Sequence, residues 1–294
     1  MLSAPTLAAL AAAGLDPVTV EALAHRTVEE DLAGGVDVTS VATVPFDLEG
    51  TAAFVPRVAG VVAGTAVAMA CIDAVADDDV VYDLVRGDGP AVAGETVLQV
   101  TGLVRTLLTA ERSALNLLCH LSGVATLTAR WVAEVEGTGA RIRDTRKTTP
   151  GLRALEKAAV VVGGGLNHRM SLSDAALVKD NHVVAAGGVA QAFEAVRAQW
   201  PDLEVEVECD TVEQVAEVVA AGADLVLLDN MSLEDLRASV EICRPRGVRT
   251  EASGGLSLDR ARSVAETGVD YLSVGALTHS APVLDLGLDL HLGG

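Results

Sequence analysis

The hydrophobic pattern of the chain changes character near Gly139. Beyond it, short segments at Ala140–Asp144, Ala175–Lys179, Leu203–Glu208, Asp224–Leu228, Val248–Ala252 and Asp270–Val274 read as strands. Between them, Gly151–Val162, Ala190–Trp200, Val212–Ala221, Leu233–Cys243 and Leu258–Thr267 carry apolar residues at helical spacing. Strands alternating with helices are βα units, and these predict a parallel sheet. Right-handed crossovers either wind such a sheet open or close it into a barrel. Neither GxGxxG nor GxxxxGK followed by Ser or Thr occurs, which weakens the open nucleotide-binding folds and favours a barrel of eight or fewer strands.

The first 120 residues are mixed. Asp16-Pro17 joins an N-cap to a proline at the first helical position and predicts a helix to about Leu32. Thr51–Val58, Val80–Val85 and Glu95–Thr101 read as strands and Thr65–Ala76 as a helix. A long helix is expected over Thr106–Glu136, broken near Ser122-Gly123. At the other end Leu284, Leu286, Leu288, Leu290 and Leu292 alternate with Asp285, Gly287, Asp289 and His291. That period of two marks a half-buried antiparallel strand, unsuited to a covered parallel barrel and expected to rejoin the N-terminal sheet. The predicted organisation is an N-terminal α/β domain over 1–120 completed by a strand within 281–294, and an α/β barrel over 121–280.

Composition narrows the function. Half of the 294 residues are hydrophobic but only 2% are aromatic, so the core must be built from Ala, Val and Leu. The formal charge of −20 repels phosphate backbones and anionic lipid, so neither nucleic acid nor membrane is an expected partner. The longest apolar run, Val61–Ile72, is too short to span a bilayer, and the start lacks a basic signal-peptide region. A cytoplasmic protein is expected. Cys71, Cys119, Cys209 and Cys243 form no CxxC pair and are expected as reduced thiols.

Against that acidity stands one basic segment. Eight of the 21 Lys and Arg residues, including all three lysines (Lys147, Lys157, Lys179), fall between Arg141 and His182. In a parallel barrel the active site lies at the carboxyl ends of the strands. The residues there are Arg146-Lys147, Lys179, Glu208, Asp229, Ser253-Gly254-Gly255 and Ser273-Val274-Gly275. Basic groups come early (Arg146, Lys147, His168, Arg169, Lys179), two carboxylates follow, and small residues come last. Ser253-Gly254-Gly255 precedes Ser257, a candidate N-cap, so this loop is a candidate phosphate site. The placement predicts a substrate with several negative charges, one of them a phosphate. Glu208 and Asp229 would face developing positive charge, act as bases, or hold Mg2+.

Motifs carry the reading further. Arg143-Asp144-Thr145-Arg146-Lys147-Thr148, Gly163-Gly164-Gly165-Leu166-Asn167-His168-Arg169 and Leu177-Val178-Lys179-Asp180-Asn181-His182 resemble signatures of the quinolinate phosphoribosyltransferase family. Glu206-Val207-Glu208, Leu228-Asp229-Asn230, Glu251 through Gly255, and Ser273-Val274-Gly275 continue the resemblance in order. Glu111 through Asn116 and Leu121-Ser122-Gly123 extend it upstream. Val36, Ala159 and Ser171 stand where that family commonly has Gly, Tyr and Gly.

The resemblance implies phosphoribosyl transfer from 5-phosphoribosyl 1-diphosphate to quinolinate, with decarboxylation, in NAD synthesis. It implies an α/β sandwich plus an open seven-stranded barrel of the type II phosphoribosyltransferase kind. It also implies a homodimer with shared active sites, in which Arg112 enters the neighbouring subunit's site, and leaves a larger assembly open. Lys147, Glu208 and Asp229 take catalytic roles. Thr145, Arg146, His168, Arg169, Lys179, Ser253, Gly254, Gly255, Ser273, Val274 and Gly275 join them in binding substrate. Mg2+ comes with the diphosphate, near Glu208 and Asp229, and no organic cofactor is implied. The residues alone leave other readings open: a related barrel with nicotinate or another acceptor, a Schiff-base aldolase using Lys179, or a metabolite-binding regulator. Product analysis, borohydride trapping and binding without turnover separate them.

Overall fold

The computed structural model describes residues 1–77 and 79–292. It divides into two compact units, one made of Met1–Leu127, Ala154–Gly163 and Ala281–Gly294, the other of Thr128–Arg153 and Gly164–Ser280. The expected C-terminal strand region reaches Gly293 and Gly294, which lie outside the described residues.

The first unit begins with helices α1 (Ala4–Ala12), α2 (Pro17–Leu32) and α3 (Val38–Thr43). The Asp16 side chain accepts the Thr19 N–H at 2.9 Å and Pro17 opens α2, as its sequence predicts. Strands β1 (Glu49–Pro56) and β2 (Gly60–Val62) follow, then α4 (Thr65–Asp73), whose residues are all buried. Next come β3 (Val81–Asp83), β4 (Gly89–Ala91), β5 (Leu98–Leu103) and the long helix α5 (Val104–Glu134). The expected period-two strand is Leu286–His291. It pairs antiparallel with β1, which pairs with β5, which pairs with β3. Phe54, fully buried, stands opposite Leu288 on one side and Leu98 on the other.

Two expectations change here. Helix α5 runs unbroken through Ser122-Gly123. Gly123 is there for close approach rather than for a break, because a Cβ would strike the Pro282 carbonyl oxygen. Helix α6 (Arg153–Val162), expected among the barrel helices, groups from Ala154 onward with the first unit. Its face of Leu155, Glu156, Lys157, Ala159 and Val160 is buried, and Glu156 holds His120 Nε2 of α5 at 2.8 Å.

The second unit is built on β6 (Arg141–Arg143), β7 (Ala176–Val178), β8 (Val205–Cys209), β9 (Leu225–Asp229), β10 (Arg249–Ser253) and β11 (Tyr271–Ser273). Its helices are α7 (Asp180–Ala186), α8 (Val189–Gln199), α9 (Val212–Ala220), α10 (Leu233–Cys243), α11 (Ala261–Ala265) and α12 (Ala276–His279). The six strands are parallel in the order β6-β11-β10-β9-β8-β7. The last strand thus returns to the first, which is the winding of a barrel and not of a doubly wound sheet. The seventh place is a single bridged residue, Leu166, beside Arg143. The barrel therefore stays open between Leu166 and β7.

Its interior is unusual for a barrel, where branched apolar residues normally fill the layers. Alternation puts Glu204, Glu206 and Glu208 on one face along β8, and Arg249, Glu251 and Ser253 on one face of β10. Arg249 reaches across β9 to Glu204 at 2.7 Å, and Arg143 of β6 reaches across β11 to Glu251 at 2.5 Å. Charged side chains thus take inward places on β6, β8 and β10, while Leu177, Leu225 and Leu227 take those of β7 and β9 beside them.

The segment expected as one helix over Leu258–Thr267 is a 3-10 turn, Leu258–Arg260, followed by the five-residue α11. Helix α7, unpredicted, buries none of its residues and so left no apolar stripe to read. Cys71, Cys209 and Cys243 are buried free thiols and Cys119 is half-buried; burial pushes Cys71 and Cys209 up to about 12. Among the described residues no single helix is long and apolar enough to cross a membrane.

Candidate active site

A cleft of about 560 Å3 opens at the carboxyl ends of the barrel strands. Thr145, Arg146 and Lys147 line it from the segment after β6, His168 and Arg169 from the loop after Leu166, and Lys179 from the end of β7. Glu208, Asp229, the Ser253-Gly254-Gly255 turn and Ser273 contribute from β8, β9, β10 and β11. Val274 and Gly275 sit just beyond β11. The Val274 N–H donates to the Arg143 carbonyl at 2.9 Å, and Gly275 leaves room for Lys147, whose Cδ would lie 3.1 Å from an added Cβ. The Thr278 hydroxyl donates to the Lys147 carbonyl at 2.8 Å. Arg112 is exposed on α5 in the first unit.

Leu177, Leu227 and Asn230 also line the cleft, and the strand-end reading assigned them no role. Asn230 is held with φ +52°, donates its side-chain amide to Asp229 at 2.6 Å, and gives its N–H to Ser253 at 2.9 Å. A Cβ on Gly254 would strike the Asn230 side chain. Only the adjacency of Asn230 to Asp229 signalled this in the sequence. Gly254 and Gly255 have φ of +85° and +55°, a conformation that exposes successive backbone N–H groups. Ser257 makes no side-chain cap bond. Any anion at this corner would have to be held by the glycine backbone, because the short helix beyond it supplies little dipole.

The expected cations are not equivalent. Lys179 is paired with Glu208. The Arg169 guanidinium donates to the Ala175 carbonyl at 3.0 Å, and burial, then the charge of Arg146, lower its pKa. Arg146 has a buried Nε without a hydrogen-bond partner. His168 was read as one more cation, but both its ring nitrogens are engaged. Nδ1 accepts the Arg169 N–H at 2.8 Å and Nε2 lies 2.7 Å from Glu206. An imidazole whose Nδ1 accepts is neutral, so this arrangement offers no imidazolium to a substrate.

Glu206 and Glu251 are both buried beneath the cleft. Desolvation pushes the Glu206 carboxyl up to about 7 against the pull of Arg143, and leaves its Oε1 without a hydrogen-bond partner. Burial, then the neighbouring Glu206, raises Glu251 as well. Arg143 and the Ser273 hydroxyl hold Glu251 in place. Ligand atoms of His168, Glu206 and Glu251 lie within 4.8 Å of one another, a spacing that a metal ion could use. Hydrogen bonds and the Arg143 charge already occupy most of that capacity.

A raised carboxyl pKa makes a signed prediction. The folded protein takes up the proton more readily than the unfolded chain, so the stability from Glu206 is fully present below about 4.5 and lost as pH rises through about 7. Between those limits wild type should lose up to ~3 kcal/mol relative to Glu206→Gln, at ~1.4 kcal/mol per unit. Urea titrations of both proteins at pH 5 and pH 8 measure the difference. A difference of zero or opposite sign contradicts the assigned environment.

Comparison with known proteins adds an independent finding. The quinolinate phosphoribosyl transferase N-terminal domain matches residues 37–122, and the C-terminal domain of the same family matches residues 124–289. The chain belongs to the quinolinate phosphoribosyltransferase family. Within this family, carboxylating nicotinate-nucleotide pyrophosphorylase of Mycobacterium leprae (strain TN) is 52% identical over 270 residues, covering 90% of this chain and 95% of that one. The crystal structure of NadC from Streptococcus pyogenes is 38% identical with a TM-score of 0.90, over 95% of this chain and 99% of that chain. The nicotinate-nucleotide pyrophosphorylase structure from Francisella tularensis is 36% identical with a TM-score of 0.90, over 94% and 98% of the two chains. Family membership and the α/β architecture agree with what the motifs implied.

Proposed function

We propose that this chain transfers the phosphoribosyl group of 5-phosphoribosyl 1-diphosphate to the ring nitrogen of quinolinate. Diphosphate and carbon dioxide leave, and nicotinate mononucleotide is formed for NAD synthesis. The observation that carries the reading is one cleft holding Arg146, Lys147, Arg169 and Lys179 beside the carboxylates Glu208 and Asp229 and a glycine turn. The cations suit the two adjacent carboxylates of quinolinate and the anionic donor, with Arg able to bind bidentately. The glycine turn suits a phosphate.

Departure of diphosphate leaves an oxocarbenium-like ribose. Asp229, fixed by Asn230, and Glu208 are positioned to stabilise that positive charge or to hold the ribose hydroxyls. Glu208 starts in an ion pair with Lys179. An incoming anion competes for Lys179 and so turns Glu208 toward the sugar. Mg2+ would come with the diphosphate, and the hard carboxylate oxygens of Glu208 and Asp229 at this rim suit its outer contacts. When bound, it neutralises the leaving group. After transfer, the electron pair of the breaking C–CO2 bond stays on the ring carbon as an ylide stabilised by the adjacent pyridinium charge, and that carbon then takes up a proton. No side-chain nucleophile and no organic cofactor are needed. The acidic surface suits a soluble cytoplasmic enzyme. The deciding experiment is product analysis after incubation with quinolinate, the phosphoribosyl donor and Mg2+. Absence of nicotinate mononucleotide and carbon dioxide rejects the assignment.

The same reading includes a homodimer in which Arg112 of one chain completes the cleft of the other. A surface ion pair at Arg112 would contribute at most ~1 kcal/mol, and its loss would leave activity intact. Under the shared-site arrangement Arg112→Ala and Lys147→Ala are each inactive, yet mixing them restores partial activity through heterodimers with one intact site. No recovery after verified subunit exchange counts against a shared site.

A further inference from the structure

One charged layer of the barrel lies beneath the cleft, and no step above uses it. It consists of Arg143, Glu206 and Glu251 from alternate strands, with His168 between them. His168 is held from every side. Its main-chain N–H donates to buried Asp144 at 2.8 Å. Its Nδ1 accepts the Arg169 N–H at 2.8 Å and therefore carries no proton. Its Nε2 carries the ring proton instead and donates it to Glu206 Oε2 at 2.7 Å. On the far side Glu251 Oε1 lies 3.5 Å from the same nitrogen, fixed in turn by Arg143 and Ser273.

We infer that Glu206 is a positioning residue: by accepting the Nε2 proton it locks His168 in one tautomer, keeps Nδ1 an acceptor, and thereby holds the Arg169 main chain so that its guanidinium stands at the cleft for an acceptor carboxylate. This rests on the proposed quinolinate site. Without Glu206 the Nε2 proton loses its 2.7 Å acceptor, the Glu251 carboxylate being 3.5 Å away, and the tautomer that leaves Nδ1 an acceptor is less favoured. An Nδ1–H form would set one donor against the Arg169 N–H, another donor, and the turn would have to move. A buried donor stripped of its acceptor typically weakens the state that needs it by ~10-fold to 100-fold. Beside this layer lies a polar chamber of about 200 Å3, lined by Glu206, Glu204, Arg143 and Arg169 among others.

The test separates tautomer control from general support of the fold. Nitrogen-15 spectra of the ligand-free wild type, with His168 assigned by substitution, should show the proton on Nε2. Glu206→Leu should raise the KM for quinolinate ~10-fold to 100-fold, with kcat and the KM for the phosphoribosyl donor within about threefold of wild type. Glu206→Gln keeps a carbonyl oxygen for Nε2–H and should hold the quinolinate KM within about threefold. A wild-type proton on Nδ1 overturns the inference. So does a Glu206→Leu enzyme that loses kcat with an unchanged quinolinate KM, or a Glu206→Gln enzyme with KM raised tenfold. If Glu206→Leu does not fold, the wild-type spectrum and Glu206→Gln still decide. A wild type without any turnover rejects the proposed function and leaves the tautomer measurement standing.

Discussion

Quinolinate is expected to bind ~30-fold to several thousand-fold more tightly than nicotinate, the range that corresponds to ~2–5 kcal/mol for a buried charge left unpaired. The cation cluster is the cause. Arg169 and Arg146 stand close enough that the charge of Arg146, after burial, lowers the Arg169 pKa. Arg146 keeps a buried Nε with no hydrogen-bond partner. The empty cleft thus holds like charges together in a poorly solvated place, and an anion relieves the repulsion. A second carboxylate relieves more of it than one can. Arg169→Ala removes one of the repelling charges, so it should weaken quinolinate far more than nicotinate and narrow the gap. Calorimetry of both acids against both proteins measures this. Equal affinities in the wild type would reject the dicarboxylate reading and favour a different acceptor.

Asp229→Ala and Glu208→Ala should each lower kcat by roughly 10²–10³-fold, the scale of losing one preorganised electrostatic group. The two are not equally clean. Asp229 is bonded by the Asn230 amide and sits at the last position of β9, so its removal takes one charge from the cleft. Removing Glu208 also releases Lys179, and a freed cation tightens the binding of an anionic substrate. Glu208→Ala should therefore combine a lower kcat with an unchanged or lower KM for the anionic substrates. Neither change touches an apolar core layer, and the thermal midpoint should move by only a few degrees. Turnover near wild type in either variant would show that the carboxylate stabilises nothing in the transition state.

Most of this cleft was legible because barrel strands end where chemistry begins. Lys179, Glu208, Asp229, Ser253 and Ser273 each close or follow a strand whose apolar residues mark its position. The layer one step below was not legible. Glu206 and Glu251 sit inside strands, at places where a sequence reader expects apolar side chains, and their partners lie across an intervening strand. Which residues meet there depends on strand register, and register is not written in any single strand. The neutral state of His168 is hidden for the same reason: its tautomer depends on Glu206 of β8, 38 residues further along the chain. Gly123 misled in the opposite direction. Its sequence neighbours suggest a helix break, but its actual neighbour is Pro282, far along the chain.

The edge strand Leu286–His291 has a consequence for how the protein is made. Thr51 pairs with His291 and Pro56 with Leu286, so the edge of β1 away from β5 waits for its partner until nearly everything described here has been synthesised. Chains emerge from the ribosome amino end first, and contacts this distant in sequence close slowly. The parallel strands β6 to β11 can assemble while β1 still presents an unpaired edge. A nascent chain stalled before Leu286 should therefore bind chaperones that recognise exposed strand edges. One extended past His291 should shed them.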